Sequence, residues 1–476
     1  MFKKKLKFLL VFCLLTLAFT LPSHVHASTD KEQENLYSVY LKSPNNNEDF
    51  LKLLKKHNIE VTYKVDQVGL FQVKSTQKNL EILSNEANYI DSYNSPLTVQ
   101  SNIIKQNSVV NNISSLNQQN NSLWDLQWDM QKVTNNGLSY QLSSGSRNTV
   151  VGIIDSGIDF NHPDLKGNIL SSENFVPKGG LRGTEPNENG DMAFNIDYLG
   201  HGTFVAGQIA ANGLIKGVAP NIGIKSYRVF GSKNADSSWI INAIIKAAND
   251  DVDVINLSLS TFLVKGEIKG PNGVPQAGDF AEIKAYKKAI AFAHKKGSIV
   301  VSSIGNEGLN LKDKNVTSEY WKQNLNGSNN SFSGKLIAVP AQLPNVVTVS
   351  SLGPTEKLSN FSNFGNGIVD IATYGGDMRL LKQYGEEKYF KEGIFSQEFV
   401  VGAAPGGTYT YSVGTSIATP KVAGTLALII DKYHLHKKPD KVVHILKRTA
   451  EREGDKAYTG SGIMNVYYSL LNKPSF

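Results

Sequence analysis

From residue 149 onward, short runs of apolar, strand-forming residues alternate with longer stretches of helical spacing, and this alternation limits the fold more than any other feature. Thr149–Asp155, Ile224–Val229, Val252–Ser258, Ser298–Ser303, Val346–Ser350 and Val369–Ala372 read as buried strands. Between them, Ser237–Asn249 and Phe280–Lys296 read as helices. In the second, Ile283, Tyr286, Ile290 and Ala293 recur at three- and four-residue steps and form one apolar face. Strands joined through helices pair in parallel, so the expectation is an α/β fold with a parallel sheet flanked by helices. Such a fold places reactive groups at strand ends and helix starts.

Three separated segments put chemistry at those places: Val150-Val151-Gly152-Ile153-Ile154-Asp155-Ser156-Gly157-Ile158-Asp159, Gly200-His201-Gly202-Thr203-Phe204-Val205-Ala206-Gly207 and Gly414-Thr415-Ser416-Ile417-Ala418-Thr419-Pro420. Asp155 ends a strand, and His201 and Ser416 open helices. A serine hydroxyl is protonated at neutral pH and attacks a carbonyl usefully only when a base removes its proton during bond formation. Histidine, with an ordinary pKa of about 6.5, can take that proton and return it to the leaving amine. A carboxylate on the other ring nitrogen fixes the tautomer and stabilises the imidazolium.

The order Asp155, His201, Ser416, in these flanks, resembles subtilisin-like serine proteases. Ser302-Ser303-Ile304-Gly305-Asn306-Glu307-Gly308, after an apolar strand, resembles their oxyanion segment. The resemblance implies that Asn306 donates to the tetrahedral oxyanion with the Ser416 backbone N–H, and that catalysis needs no cofactor. His162-Pro163-Asp164-Leu165 resembles a segment whose Asp helps bind a structural calcium ion. Here the partner loop Ala210–Gly217 is short, and calcium needs about six to eight oxygens, so Asp164 reads either as a calcium ligand or as a turn cap. His434, His436 and His444 lie among lysines and read as basic surface. Ile417 stands where the family commonly has an oxidisable Met, so activity is expected to survive mild peroxide.

Leu257-Ser258-Leu259-Ser260-Thr261 resembles the family's substrate-pairing edge, which implies that Ser258, Leu259 and Ser260 bind an extended peptide. Three long loops, residues 171–196, 262–279 and 377–407, are expected to narrow access to it. The segment Leu123-Trp124-Asp125-Leu126-Gln127-Trp128-Asp129-Met130, with the loops, is similar to lantibiotic leader peptidases. That resemblance implies cleavage of a precursor peptide after Arg. An Arg at the cleaved position needs a carboxylate partner, for which Glu307, beside Asn306, is the first candidate, with Asp197 a candidate for a neighbouring subsite; a surface charge is the alternative for each.

Upstream, residues 1–27 have the layout of a secretory signal: Lys3, Lys4, Lys5 and Lys7, an apolar run Phe8–Leu21, and Val25-His26-Ala27 for cleavage. The only cysteine, Cys13, falls inside it, which excludes disulfides and thiol catalysis in the exported chain. Removing the four signal lysines lowers the formal charge from +7 to +3, with no basic block to track a nucleic acid. Residues 28–99 read as β-α-β-β-α-β, a ferredoxin-like α+β unit. The family resemblance implies that this is an inhibitory propeptide and folding chaperone; an independent binding module is the alternative. Residues 100–122, rich in Asn, Gln and Ser, read as a linker open to processing, and 123–476 as the catalytic domain. The expected protein is a secreted monomeric serine endopeptidase without a stable membrane anchor. A broad-specificity extracellular subtilase and an inactive peptide-binding protein on the same scaffold are the competing readings.

Overall fold

The structure, a computed structural model, describes residues 33–100, 122–232, 234–269, 275–325 and 331–471. The expected signal and nearly all of the expected linker lie outside the described residues.

The N-terminal unit runs β1 (Asn35–Leu41), α1 (Asn47–Lys56), β2 (Glu60–Val65), β3 (Leu70–Ser75), α2 (Gln77–Glu86) and β4 (Ile90–Asn94). Its strands form an antiparallel sheet in the order β2-β3-β1-β4, the ferredoxin-like arrangement. Thr76 starts α2 by accepting the Asn79 N–H on its hydroxyl at 3.2 Å. Phe50, Leu54, Phe71, Val73, Leu80 and Leu83 close a small core between sheet and helices. A short strand, β5 (Thr98–Val99), follows and leaves the unit.

The larger unit opens with α3 (Trp128–Val133) and α4 (Leu138–Leu142). It continues through β6 (Val150–Asp155), β7 (Ile169–Asn174), α5 (His201–Ala210), β8 (Gly223–Arg228), β9 (Ala235–Asp236), α6 (Ser237–Asn249) and β10 (Val254–Leu257). Then come β11 (Thr261–Lys269), β12 (Pro275–Ala277), α7 (Phe280–Lys296), β13 (Ile299–Ser303), α8 (Lys314–Tyr320), β14 (Ser331–Val339), β15 (Val346–Leu352) and β16 (Ile371–Tyr374). The last part holds α9 (Arg379–Tyr384), α10 (Glu386–Lys391), β17 (Val400–Ala404), β18 (Thr408–Ser412) and α11 (Thr415–Tyr433). Seven strands form a parallel sheet in the order β16-β15-β13-β10-β6-β8-β7.

Side chains alternate across that sheet with the two-residue period of a strand. Val151, Ile153, Val254 and Val301 pack with Val205 and Ile209 of α5 and Val422 and Leu426 of α11. On the other face Ile154, Ile255, Leu257 and Val300 meet Ile240 and Ile244 of α6 and Ile283 and Ile290 of α7. Helix α11 is buried from Thr415 to Ile430, which explains why its sequence is apolar on every side. After β6 the chain goes to one side of the sheet for β7 and β8, then crosses to the other for β10. The order therefore reverses at β6, and Asp155 ends that strand at the switch point, where open α/β sheets form their crevices.

The three expected loops are more ordered than their sequences suggest. Within residues 262–279, β11 pairs along its whole length with β14 and, near its end, with β12, making an antiparallel arm. Residues 171–196 fold onto Arg228, whose buried guanidinium holds Glu188 at 2.8 and 2.6 Å and lies against the rings of Phe194 and Tyr198. Residues 377–407 contain α9, α10 and β17, and the Glu398 carboxylate accepts the N–H groups of Arg379 and Leu380.

Candidate active site

The structure brings two pairs into contact, Asp155 with His201 and Asn306 with the start of α11, which carries Ser416. Asp155 Oδ1 accepts from His201 Nδ1 at 2.8 Å, and also from the Ser156 backbone N–H at 2.8 Å. Both side chains are shielded, Asp155 at 2% and His201 at 9% exposure. Burial alone would push the imidazole's pKa down. The Asp155 charge and hydrogen bond, with Asp197 beyond, outweigh it and raise the pKa above the ordinary 6.5. With Nδ1 committed to Asp155, Nε2 is the nitrogen left to exchange a proton; it is buried and has no hydrogen-bond partner among the described residues.

Ser416 sits in the first turn of α11, where backbone N–H groups lack helical acceptors and the helix end is positive. Asn306 is held beside it. Its Oδ1 accepts from Thr415 N and Thr415 Oγ1, each at 2.8 Å, which orients the amide so that the NH₂ is its donor face. Gly414 precedes them at φ 148°, and a Cβ there would lie 3.1 Å from Ser416 Oγ and 3.4 Å from Asn306 Nδ2. Glycine thus keeps open the space between the Ser416 hydroxyl and the Asn306 amide. At the start of α5, a Cβ on Gly202 would fall 2.0 Å from the Gly157 carbonyl oxygen, so only glycine lets the His helix approach the end of β6 this closely.

Several expected substrate residues have other occupations. Asp197 is a correction: its Oδ1 accepts from Ser156 Oγ at 2.7 Å and Gly200 N at 2.8 Å, and its Oδ2 from Thr203 N and Thr203 Oγ1 at 2.8 and 2.7 Å. Four internal donors leave it capping the His helix rather than facing a substrate cation. Ser258 also points inward. Pro420 has no N–H to give the Ser416 carbonyl four residues earlier, and Ser258 Oγ supplies the missing donor at 2.8 Å, itself accepting from Asn256 Nδ2 at 2.9 Å. Leu259 is buried among the residues behind the edge, and Ser260 is 8% exposed. Glu307 is half-buried; Asn363 Nδ2 donates to it, and burial pushes its carboxyl pKa up despite that bond. The Tyr320 hydroxyl feels the same carboxylate and is pushed up to about 12, chiefly by burial.

Asp164 does not fit the expected calcium role. Its Oδ2 accepts the Ile215 N–H at 3.0 Å, and its backbone oxygen accepts the Asn212 N–H at 2.9 Å. A Cβ on Gly213 would lie 1.8 Å from Oδ1. These are donors and steric contacts, whereas a cation needs several converging oxygens, and no cluster of three acidic or histidine ligands exists among the described residues. Asp164 fastens the turn after α5. His436, from the basic surface group, pairs with Asp253 at 2.8 Å.

Sequence reasoning missed a buried ion pair. Lys421 Nζ of α11 lies 2.9 Å from Asp129 Oδ2 of α3, both side chains at 0% exposure, and also donates to the Ile417 carbonyl at 3.2 Å. Ile417 packs with Phe204 of α5 and Val400 of β17, with Trp128 of α3 against them. A lysine inside an otherwise apolar helix was the available signal.

Comparison with known proteins agrees with this geometry. Residues 146–462 match the model of the subtilase family. The chain is 39% identical over 469 residues to the epidermin leader peptide-processing serine protease EpiP of Staphylococcus epidermidis, covering 98% of this chain and 99% of that one. It is 38% identical over 378 residues to the nisin leader peptide-processing serine protease NisP of Lactococcus lactis, covering 79% of this chain and 52% of that one. The crystal structure of EpiP from Staphylococcus aureus superposes with a TM-score of 0.80 at 39% identity, over 93% of this chain and 100% of that one. Strand order, active-site geometry and sequence likeness converge, and the chain belongs to the subtilase family as one of its serine proteases.

Proposed function

We propose that the chain is an exported endopeptidase that removes the leader from a lantibiotic-type precursor peptide by cutting after Arg. The observation that carries this reading is the likeness to an epidermin leader peptide-processing protease over nearly the whole of both chains, together with the bonded Asp155–His201 pair. Export is supported by the lysine head and apolar run of residues 1–27.

In the proposed reaction His201 Nε2 takes the Ser416 proton as Oγ attacks the scissile carbonyl, and Asp155 stabilises the imidazolium. Asn306 and the Ser416 N–H receive the developing oxyanion; losing such an amide costs about 10²–10³-fold in turnover, a figure established for a subtilisin. The imidazolium then protonates the leaving amine, and water, activated by the same His201, releases the acyl group. Glu307 is the proposed partner for the Arg. Its carboxyl is raised by burial and forms no salt bridge among the described residues, so an arriving guanidinium would relieve an unfavourable charge. No helix among the described residues is long and apolar enough to cross a membrane.

A serine-directed phosphonate should label Ser416, and a peptide library should show strong selection for Arg at the cleaved position. Broad acceptance of large apolar residues would make the chain a general extracellular subtilase instead. Absence of both labelling and cleavage would leave a peptide-binding protein. Glu307→Gln should raise KM for Arg peptides by about tenfold or more while the phosphonate rate stays within about twofold.

A further inference from the structure

The N-terminal sheet rests on α6 and α7, and two of its amide side chains meet two carboxylates, one at the start of each helix. Gln72 Nε2 of β3 donates to Asp236 Oδ1 at 2.6 Å, and the same oxygen caps α6 through the Ser238 N–H at 2.9 Å. Asn94, at the end of β4, holds the start of α7 at two points. Its Oδ1 accepts from Ala281 N at 2.8 Å, and its Nδ2 donates to Glu282 Oε2.

Glu282 is wholly buried under these contacts. Ser38 of β1 faces its carboxyl, and neither Ser38 Oγ nor Glu282 Oε1 has a partner of good hydrogen-bond geometry among the described residues. The charged and titratable groups around it do not compensate an ionised carboxylate. Asp279, just before α7, and Asp236, at the start of α6, are both acids, and the buried Tyr286 hydroxyl is neutral. The nearby cations are engaged elsewhere: Lys284 pairs with Asp91 of β4, and Lys288 lies over the Tyr40 ring of β1. A lone ionised carboxylate in such a place is costly, and proteins avoid it by keeping the proton.

We propose that the N-terminal unit docks on α6 and α7 with a proton held on Glu282, so that docking takes up a proton from solvent at neutral pH and weakens as pH rises. The inference rests on reading residues 28–99 as a segment that is cut free and then leaves. The sign follows from the cover: burial pushes the docked carboxyl from 4.5 up to about 8, and removing Asn94 and Ser38 returns it to water. Below the lower value both states are protonated, and above the upper value both are ionised. Between them only the docked state holds the proton, so affinity falls by up to about tenfold per pH unit. Asp279, raised to about 6 by burial, adds to the slope only at lower pH.

The test uses the full chain carrying Ser416→Ala, nicked in residues 100–122 by an added protease, with the dissociation constant of the nicked complex measured from pH 6.5 to 8.5. The expected constant rises by about tenfold per pH unit up to about pH 8. Glu282→Gln, neutral and similar in shape, is expected to be flat over the same range and to bind more tightly at pH 8.5. Asn94→Asp should weaken docking most at high pH. Equal slopes with and without Glu282→Gln, or no slope in the parent chain, overturn the proposal. Because Ser416→Ala and the added protease remove any need for self-cleavage, failure here is separate from failure of the proposed peptidase activity, which the phosphonate and peptide library measure on the unmodified chain.

Discussion

Ser416 depends on residues that never touch a substrate in the proposed reaction. Pro420 takes away the N–H that would close the first turn of α11 onto the Ser416 carbonyl, and Ser258 replaces it from the end of β10. Ser258→Ala should leave that buried oxygen without a donor and reduce unfolding stability by about 1–3 kcal/mol. Ser258→Thr, which keeps the hydroxyl, should lose much less; equal losses in urea unfolding would mean that volume, not the hydroxyl, matters. His201 has a pH signature. Its imidazole is raised above 6.5 by Asp155 against the effect of burial, and in the proposed reaction it must be neutral to accept the serine proton. Activity is therefore low when the pH is below the raised value and increases through it. The acid limb of kcat/KM should have its midpoint above 6.5, and Asp155→Asn should move that midpoint down as well as lower the rate. An acid limb centred well below 6.5 would show that the carboxylate does not govern this imidazole.

Among the elements, those built from local pattern were legible. Ser237–Asn249 and Phe280–Lys296 are helices at the bounds their periodicity gives, and six of the parallel strands depart by only a few residues, whereas β7, at the sheet edge, was read as the start of a loop. The antiparallel arm was not, because β11 finds its partner more than sixty residues later in β14, and no local pattern in Thr261–Lys269 specifies a strand so distant. The same holds within the site. Asp155, His201, Ser416 and Asn306 carry short flanks that mark them, whereas Asp197, Ser258 and Asp129 act through partners that only the fold supplies. The Asp129–Lys421 pair ties α3 to α11, the helix that carries Ser416. Asp129→Asn leaves a buried ammonium without its countercharge and should cost about 3–5 kcal/mol, whereas Asp129→Leu with Lys421→Met should recover most of that loss. If the pair also sets the first turn of α11 through the Ile417 carbonyl, the double variant will fold yet label more slowly with a phosphonate. Stability and labelling both at parent levels would make the pair dispensable to the site.

At the scale of the whole molecule, the two units are joined by more than the chain. Strand β5 pairs antiparallel with β9, Thr98 opposite Asp236 and Val99 opposite Ala235, immediately before α6, and the Ser237 N–H adds a bond to the Leu97 carbonyl at 3.0 Å. Val99 is fully buried in the same cluster as Ala235, Trp239 and Leu259, the last of these on the expected substrate edge. The end of the N-terminal unit is therefore anchored to the start of α6, and the residues that follow start from a fixed point. A tether of this kind gives its own chain a local concentration that a second molecule in dilute solution does not match. Under the proposed function, cutting between the units should then be first order. The half-time of processing in freshly folded chain should stay constant over a hundredfold dilution, and Ser416→Ala should remain uncut. A half-time that lengthens in proportion to dilution would assign the cut to another molecule of the same enzyme. Processing of the Ser416→Ala chain at the normal rate would assign it to a different protease, leaving the β5–β9 pairing as a docking contact only.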